Sequence, residues 1–129
     1  MININIQNLF NVSNILGAAM QGTIARGQAI NNNIANADTP GFNRQVVLFE
    51  DQLSNAINAH REGRGLDLSN FRPILTTEFD DFMFRIDENT IDIEFEMAML
   101  YQNSVRLDVI STGILNHYRI INMVVGMMV

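Results

Sequence analysis

Cysteine is missing from this chain of 129 residues, and so is lysine. The first absence removes disulfides, zinc–thiolate sites and cysteine nucleophiles together. It also leaves the chain indifferent to the redox state of its compartment. The second absence leaves eight positive charges, all arginine, against fourteen acids, for a net charge of −6. These arginines are scattered at 26, 44, 61, 64, 72, 85, 106 and 119. No basic stripe suits a phosphate backbone, so nucleic acid is not an expected partner.

Long apolar runs are missing too. The opening MININIQNLF has neither a positively charged start nor an apolar stretch of signal-peptide length, so a cleaved secretory signal is not supported. The last ten residues, from Ile120 to Val129, are apolar apart from Asn122. A spanning helix needs about 20 such residues, and this end reads as a packing surface.

What is there begins with NNNIANADTPGFNR, from Asn31 to Arg44. Pro40 fixes its own φ and pushes Thr39 to an extended conformation, so a helix arriving from upstream should stop near Asp38. Gly41 then supplies the positive φ that the third position of a type II turn requires. The stretch Asn33, Ile34, Ala35, Asn36, Ala37, Asp38, Thr39, Pro40, Gly41 and Phe42 is therefore a helix end and a corner.

The last third has the clearest periodicity. Ile93, Met97, Leu100, Ser104, Leu107, Ser111, Ile114, Tyr118, Ile121 and Val125 follow in steps of four and three, a sustained heptad stripe. Further apolar residues flank it, so the helix should meet more than one neighbour. Asn89 is placed to cap its first turn, with Asp92 three residues on and Glu94 and Glu96 where the helix dipole favours negative charge. A helix over 90–125 would run about 54 Å, which suits a rod or bundle better than a small globule.

The N-terminal segment has a weaker version of the pattern. Leu9, Leu16, Met20, Thr23, Ile30, Ile34 and Ala37 lie on four–three steps, interrupted at Ser13 and Gly27. Gly17, Gly22 and Gly27 each cost about 1 kcal/mol relative to alanine, so this helix is marginal without a partner. Its small residues would permit close approach of a packed neighbour. Between the helices, Val46 to Phe49 suits a short strand or a helical turn, and Leu48 to Ala59 has helical spacing. Residues 61–90 hold Gly63, Gly65, Pro73 and a run of acids, and read as loop with room for a hairpin. The expected division is 1–38, 39–89 and 90–129 within one domain, mainly α.

Chemistry is hard to find. His60 and His117 are the only histidines and stand far apart. The acids between Glu78 and Glu94 invite a calcium loop, but Asp87, Asn89 and Ile91 break the ligand alternation and no glycine follows at the bend. No phosphate-binding glycine loop, nucleophile or cofactor site is expected. The eight methionines include Met97, Met99, Met123, Met127 and Met128 near the ends of the last helix, where thioethers serve a core or an adaptable interface.

With NIANADTPGF at Asn33 to Phe42, NTIDIEFEMA at Asn89 to Ala98, and a long helix at each end, the chain resembles the flagellar basal-body rod protein family. The uninterrupted TPGF is most similar to a proximal-rod subunit. Asn103 falls where the family tends to carry asparagine, while Leu107 replaces a usual aromatic and Asn43 and Arg44 replace common lysines. The resemblance implies terminal helices paired as an axial core, disordered in free subunits and ordered on assembly. It implies a non-enzymatic structural subunit of the drive shaft between membrane ring and hook. The implied partners are further copies, other rod proteins, the rod-to-membrane-ring adaptor and the flagellar export gate. It implies type III export and a place in the basal body at periplasmic level, with no cofactor and no membrane span. The assembly faces would be Leu9, Leu16, Met20, Ile30 and Ile34 on the first helix. On the last they would be Ile93, Met97, Leu100, Leu107, Ile114, Tyr118, Ile121 and Val125, behind a start motif of Asn89, Asp92 and Glu96. The competing readings are another axial protein, a soluble helical module closing as a dimer, and an enzyme using the acid cluster.

Overall fold

The computed structural model describes residues 6–78 and 91–127. In chain order it contains α1 (Ile6–Ala35), β1 (Gln45–Leu48), α2 (Glu50–Arg61), β2 (Ile74–Thr77) and α3 (Ile93–Met127). The two terminal helices lie antiparallel, because the Leu9 end of α1 meets His117 late in α3 and Asn33 at its other end meets Glu96 early in α3. At 35 residues, α3 extends about 52 Å. The architecture is a long helical hairpin with a short mixed layer on the opposite side of α1.

Local chemistry accounts for the ends. The α1 backbone tightens through Asn36 N–H bonds to both Asn32 and Asn33 carbonyls, and the Asn36 amide returns to the Asn32 carbonyl at 2.8 Å. The corner follows, with Gly41 at φ 73° and Phe42 N–H donating to the Thr39 carbonyl at 3.2 Å. Asp92 caps α3: its Oδ1 accepts the N–H groups of Glu94 and Phe95 at 3.0 and 3.3 Å. Asn89, the residue the sequence suggests for that role, lies outside the described residues, as do the acids from Asp80 to Glu88 and Met128. Glu50 and Asp51 open α2 where its dipole favours acids, and Gly63 at φ 81° closes it. There Arg64 N–H reaches the Ala59 carbonyl and Gly63 N–H the His60 carbonyl, both at 3.0 Å, which is a Schellman ending.

The short antiparallel pair joins β1 to β2 with Gln45 opposite Thr77 and Leu48 opposite Ile74. One of its strands precedes α2, so α2 and its return loop lie between the two. The apolar core is small and sits beneath this layer: Ala18, Ala29, Val47, Phe49 and Phe71, with Ala25, Leu53 and Leu68 against it. Phe49 is its keystone. Its ring meets Phe71 edge-on at 6.4 Å and takes the Arg26 guanidinium over its face at 4.7 Å. Arg26 also bonds the Val47 carbonyl at 3.0 Å and holds the Glu50 carboxylate at 2.5 and 2.6 Å.

Gly22 is where this ring rests on α1, and a Cβ there would fall on the Phe49 ring carbons, whereas one at Gly17 would meet nothing within 4 Å. Gly17→Ala is expected to stabilise the fold by about 1 kcal/mol through helix propensity. Gly22→Ala should destabilise it by about 1–3 kcal/mol despite the same propensity gain. Urea unfolding of the two variants decides this; equal and positive shifts would show that Phe49 does not rest on α1.

Glu50 gives a second test. Burial alone would raise its pKa, but the Arg26 bonds and charge outweigh burial and hold the carboxyl below its ordinary value. A depressed folded pKa contributes stability that is present above the unfolded value of about 4.5 and lost as pH falls through the folded one. Glu50→Gln should therefore be less stable than the parent at pH 7, and the two should converge in acid. A constant difference across pH titrations of unfolding would contradict the pairing.

Candidate assembly site

The corner motif is held by a buried polar knot. Asn33 is fully enclosed at the end of α1. Its amide Nδ2 donates to the Gln45 carbonyl at 2.9 Å and to Glu96 Oε2 at 3.1 Å, while its Oδ1 accepts the Gln45 N–H at 2.8 Å. The side chain therefore imitates a neighbouring strand for the first residue of β1. Only an amide supplies both donors and the acceptor; a carboxylate at this position would face Glu96.

Glu96 is 0% exposed, and its charge is matched by Arg44 Nε. The Arg44 guanidinium reaches Glu78 at 2.6 Å and lies 5.0 Å from the Phe95 ring centroid. Burial works against the Arg44 charge, but the bonds and charges of Glu96 and Glu78 outweigh it and raise its pKa above the usual value. The Glu78 N–H also bonds the Arg44 carbonyl at 2.9 Å, extending the strand pair by one step. Four segments thus meet around the Glu96–Arg44 pair: the end of α1, the exit of the corner, the end of β2 and the start of α3. Glu96, read from sequence as a dipole partner in the first turn, is the centre of this knot.

Two further polar side chains fasten α3 to α1. Asn103 donates its amide to the Thr23 carbonyl at 3.0 Å, and Gly27 gives it room, since a Cβ there would lie 3.1 Å from Nδ2. His117 Nε2 lies 2.7 Å from the Leu9 carbonyl, which can only accept, so this nitrogen carries the proton. Both side chains are buried.

These contacts reset the phase of the stripe on α3. The inner row is Glu96, Leu100, Asn103, Leu107, Ile110, Ile114, His117, Ile121 and Val124, all buried or half-buried. Leu100, Leu107, Ile114 and Ile121 belong to both stripes, whereas Ile93, Met97, Tyr118 and Val125 are exposed. Ser104 and Ser111 bond the carbonyls of Leu100 and Leu107 one turn back. On α1, Ile30 is buried and Leu9, Leu16, Met20 and Ile34 are half-buried. In the corner Ala37 is buried, Ile34, Asn36 and Phe42 are half-buried, and Ala35, Asp38, Thr39, Pro40 and Gly41 are exposed. Sequence reasoning passed over Arg44 and His117 as partners; for His117 the available signal was its place in one helix column with Glu96 and Asn103.

The outward side of α3 carries Met97, Tyr101, Val105 and Val109 in steps of four, with Tyr101 73% exposed. Phe10, Val12 and Ile24 are exposed on α1. Among the described residues no helix is long and apolar enough to cross a membrane, and no group of three or more histidines or acids could hold a metal ion.

Curated proteins with this sequence pattern carry one name. A flagellar basal body rod protein FlgB from Borrelia hermsii is 30% identical over 114 residues, covering 78% of this chain and 84% of the relative. The chain belongs to the FlgB family of flagellar basal body rod proteins. FlgB from Yersinia enterocolitica is 32% identical over 94 residues, 63% of this chain and 69% of that one. FlgB from Borreliella burgdorferi is 27% identical over 114 residues, 77% and 84% of the two chains. No family model matches the chain. As a FlgB-family member the chain is a structural protein of the flagellar basal-body rod.

Asn33→Asp would set a second carboxylate against Glu96. We expect a loss of about 3–5 kcal/mol in urea unfolding, the scale of a broken buried ionic pair. Asn31→Asp, on the exposed side of the same turn, should stay within about 0.5 kcal/mol of the parent. Equal small effects would remove the knot from the account.

Proposed function

We propose that this FlgB-family chain builds the proximal rod by polymerising through its terminal helices, as a non-enzymatic part of the drive shaft between membrane ring and hook. The supporting observation is the unpartnered apolar side of the helical hairpin. Once α3 has packed its polar-pinned row on α1, Met97, Tyr101, Val105 and Val109 remain exposed as a continuous ridge. A contiguous apolar surface of this kind marks an interaction site. Helical polymers need heterologous contacts that do not close on themselves, and a long ridge on one helix suits them.

The hairpin has little core to stabilise it alone, so burial of this ridge between subunits would supply what free α1 and α3 lack. Neighbours in this reading are further copies and other rod proteins, with the rod-to-membrane-ring adaptor and the export gate at the proximal end. Export through the flagellar type III apparatus and a location at periplasmic level belong to the same proposal. The corner at Thr39 to Phe42 would carry the mixed β1–α2–β2 layer to one side of the axial helices.

Val105→Asp with Val109→Asp tests it, because both side chains are exposed in the single chain. The double variant should unfold within about 0.5 kcal/mol of the parent. It should be absent from isolated basal bodies, in cells that no longer swim. Full incorporation and normal swimming would show that this ridge is not an assembly face.

A further inference from the structure

Helices with a strict heptad face can pair in several registers. On α3 one inner column reads Leu100, Leu107, Ile114, Ile121 at intervals of seven. Sliding α3 by one heptad, about 10.5 Å, places leucine or isoleucine on leucine or isoleucine. That column holds the pair together but is nearly blind to such a slip.

The other inner column is Glu96, Asn103, Ile110, His117, Val124, in which polar and apolar residues follow no period of seven. Its polar members each meet a specific group on α1: the Asn33 amide, the Thr23 carbonyl and the Leu9 carbonyl. Leu9 and Thr23 are as far apart along α1 as Asn103 and His117 are along α3, as an antiparallel pair requires. A slip one way would bring Glu96 to the Thr23 carbonyl, acceptor against acceptor in a buried site. A slip the other way would put Ile110 into the notch at Gly27 that fits an amide, and would leave Glu96 without Asn33.

We infer that Glu96, Asn103 and His117 form a register code that admits one alignment of α3 on α1 and excludes its one-heptad neighbours. Asn103 indicates that the device serves specificity more than strength. Its Oδ1 is buried with no hydrogen-bond partner among the described residues. Such a group lowers stability relative to leucine, as single polar residues in helical seams do when they fix alignment. The inference concerns pairing within one chain and stands whether or not the outer ridge mediates polymerisation.

The absence of cysteine gives a clean background for cross-linking. A Cβ at Gly113 would lie 3.6 Å from Leu16, so Leu16→Cys with Gly113→Cys, joined by a short bismaleimide, reports the observed register. Leu16→Cys with Ile120→Cys, and Leu16→Cys with Arg106→Cys, report the two slips. In the otherwise unaltered purified chain only the first pair should link efficiently. Adding Glu96→Gln, Asn103→Leu and His117→Leu, so that all three members lose their fit, should cut that yield at least about threefold and raise one slipped pair to a comparable level, with far-UV circular dichroism unchanged, as loss of a polar alignment residue does in coiled coils. The inference is overturned if the parent chain fails to link 16 to 113, or if the leucine variant keeps that link at full yield. It is equally overturned if the variant loses its helix content and every link together, since the polar groups would then hold the pair rather than choose its register.

Discussion

One carboxylate removed from water organises this protein. A buried ionised glutamate is tolerated only with its charge matched and its oxygens bonded. Glu96 meets both conditions through Arg44 and Asn33, which precede it by 52 and 63 residues. Those two partners are in turn fixed by the corner and by the strand that leaves it. Removing Arg44 would leave the Glu96 charge buried without its counter-charge, and removing Asn33 would strip that carboxylate of its second bond. The knot therefore holds the end of α1, the corner, the β pair and the start of α3 as one unit, where apolar packing is thin.

From that anchored end the helical hairpin is an economical object. Its inner seam alternates an apolar column, which supplies burial, with a mixed column, which supplies alignment. The core proper lies on the other side of α1, around Phe49, and depends on one glycine for its closeness. The outer side of α3 is then left with Met97, Tyr101, Val105 and Val109 exposed. A chain that needed only to fold by itself would gain from polar residues at those four positions, as solvent-facing helix sides normally have. Its composition suits a surface meant for neighbours, which agrees with membership of a rod-protein family.

The parts legible in the sequence were those that local chemistry decides. Pro40 and Gly41 dictate a corner whatever surrounds them, and the two long terminal helices followed from pattern and composition. The phase of the α3 seam did not follow. A stripe drawn on four–three steps took in Met97, Ser104, Ser111, Tyr118 and Val125 and left Asn103 and His117 off it, because buried polar residues look like surface ones until their partners are known. The pairing of Arg44 with Glu96 was invisible for the same reason: the two are far apart in the chain, and each has an ordinary surface explanation. Asp92 caps α3 three residues after Asn89, because its carboxylate is the one that reaches the N–H groups of Glu94 and Phe95. A strand at Val46 to Phe49 was one of two readings of that stretch, but its pairing with β2 across α2 is a long-range contact that local pattern does not carry.

Hydroxyl-radical footprinting with mass spectrometry, on the free chain and on isolated basal bodies, tests the division of α3 into an inner and an outer side. Met97, Tyr101 and Met123 are exposed in the single chain. They should react readily there and become protected in the rod, while the half-buried Met20 changes little. Equal reactivity of Met97 and Tyr101 in the two states would mean that the outer ridge stays bare on assembly, and the central claim would fail.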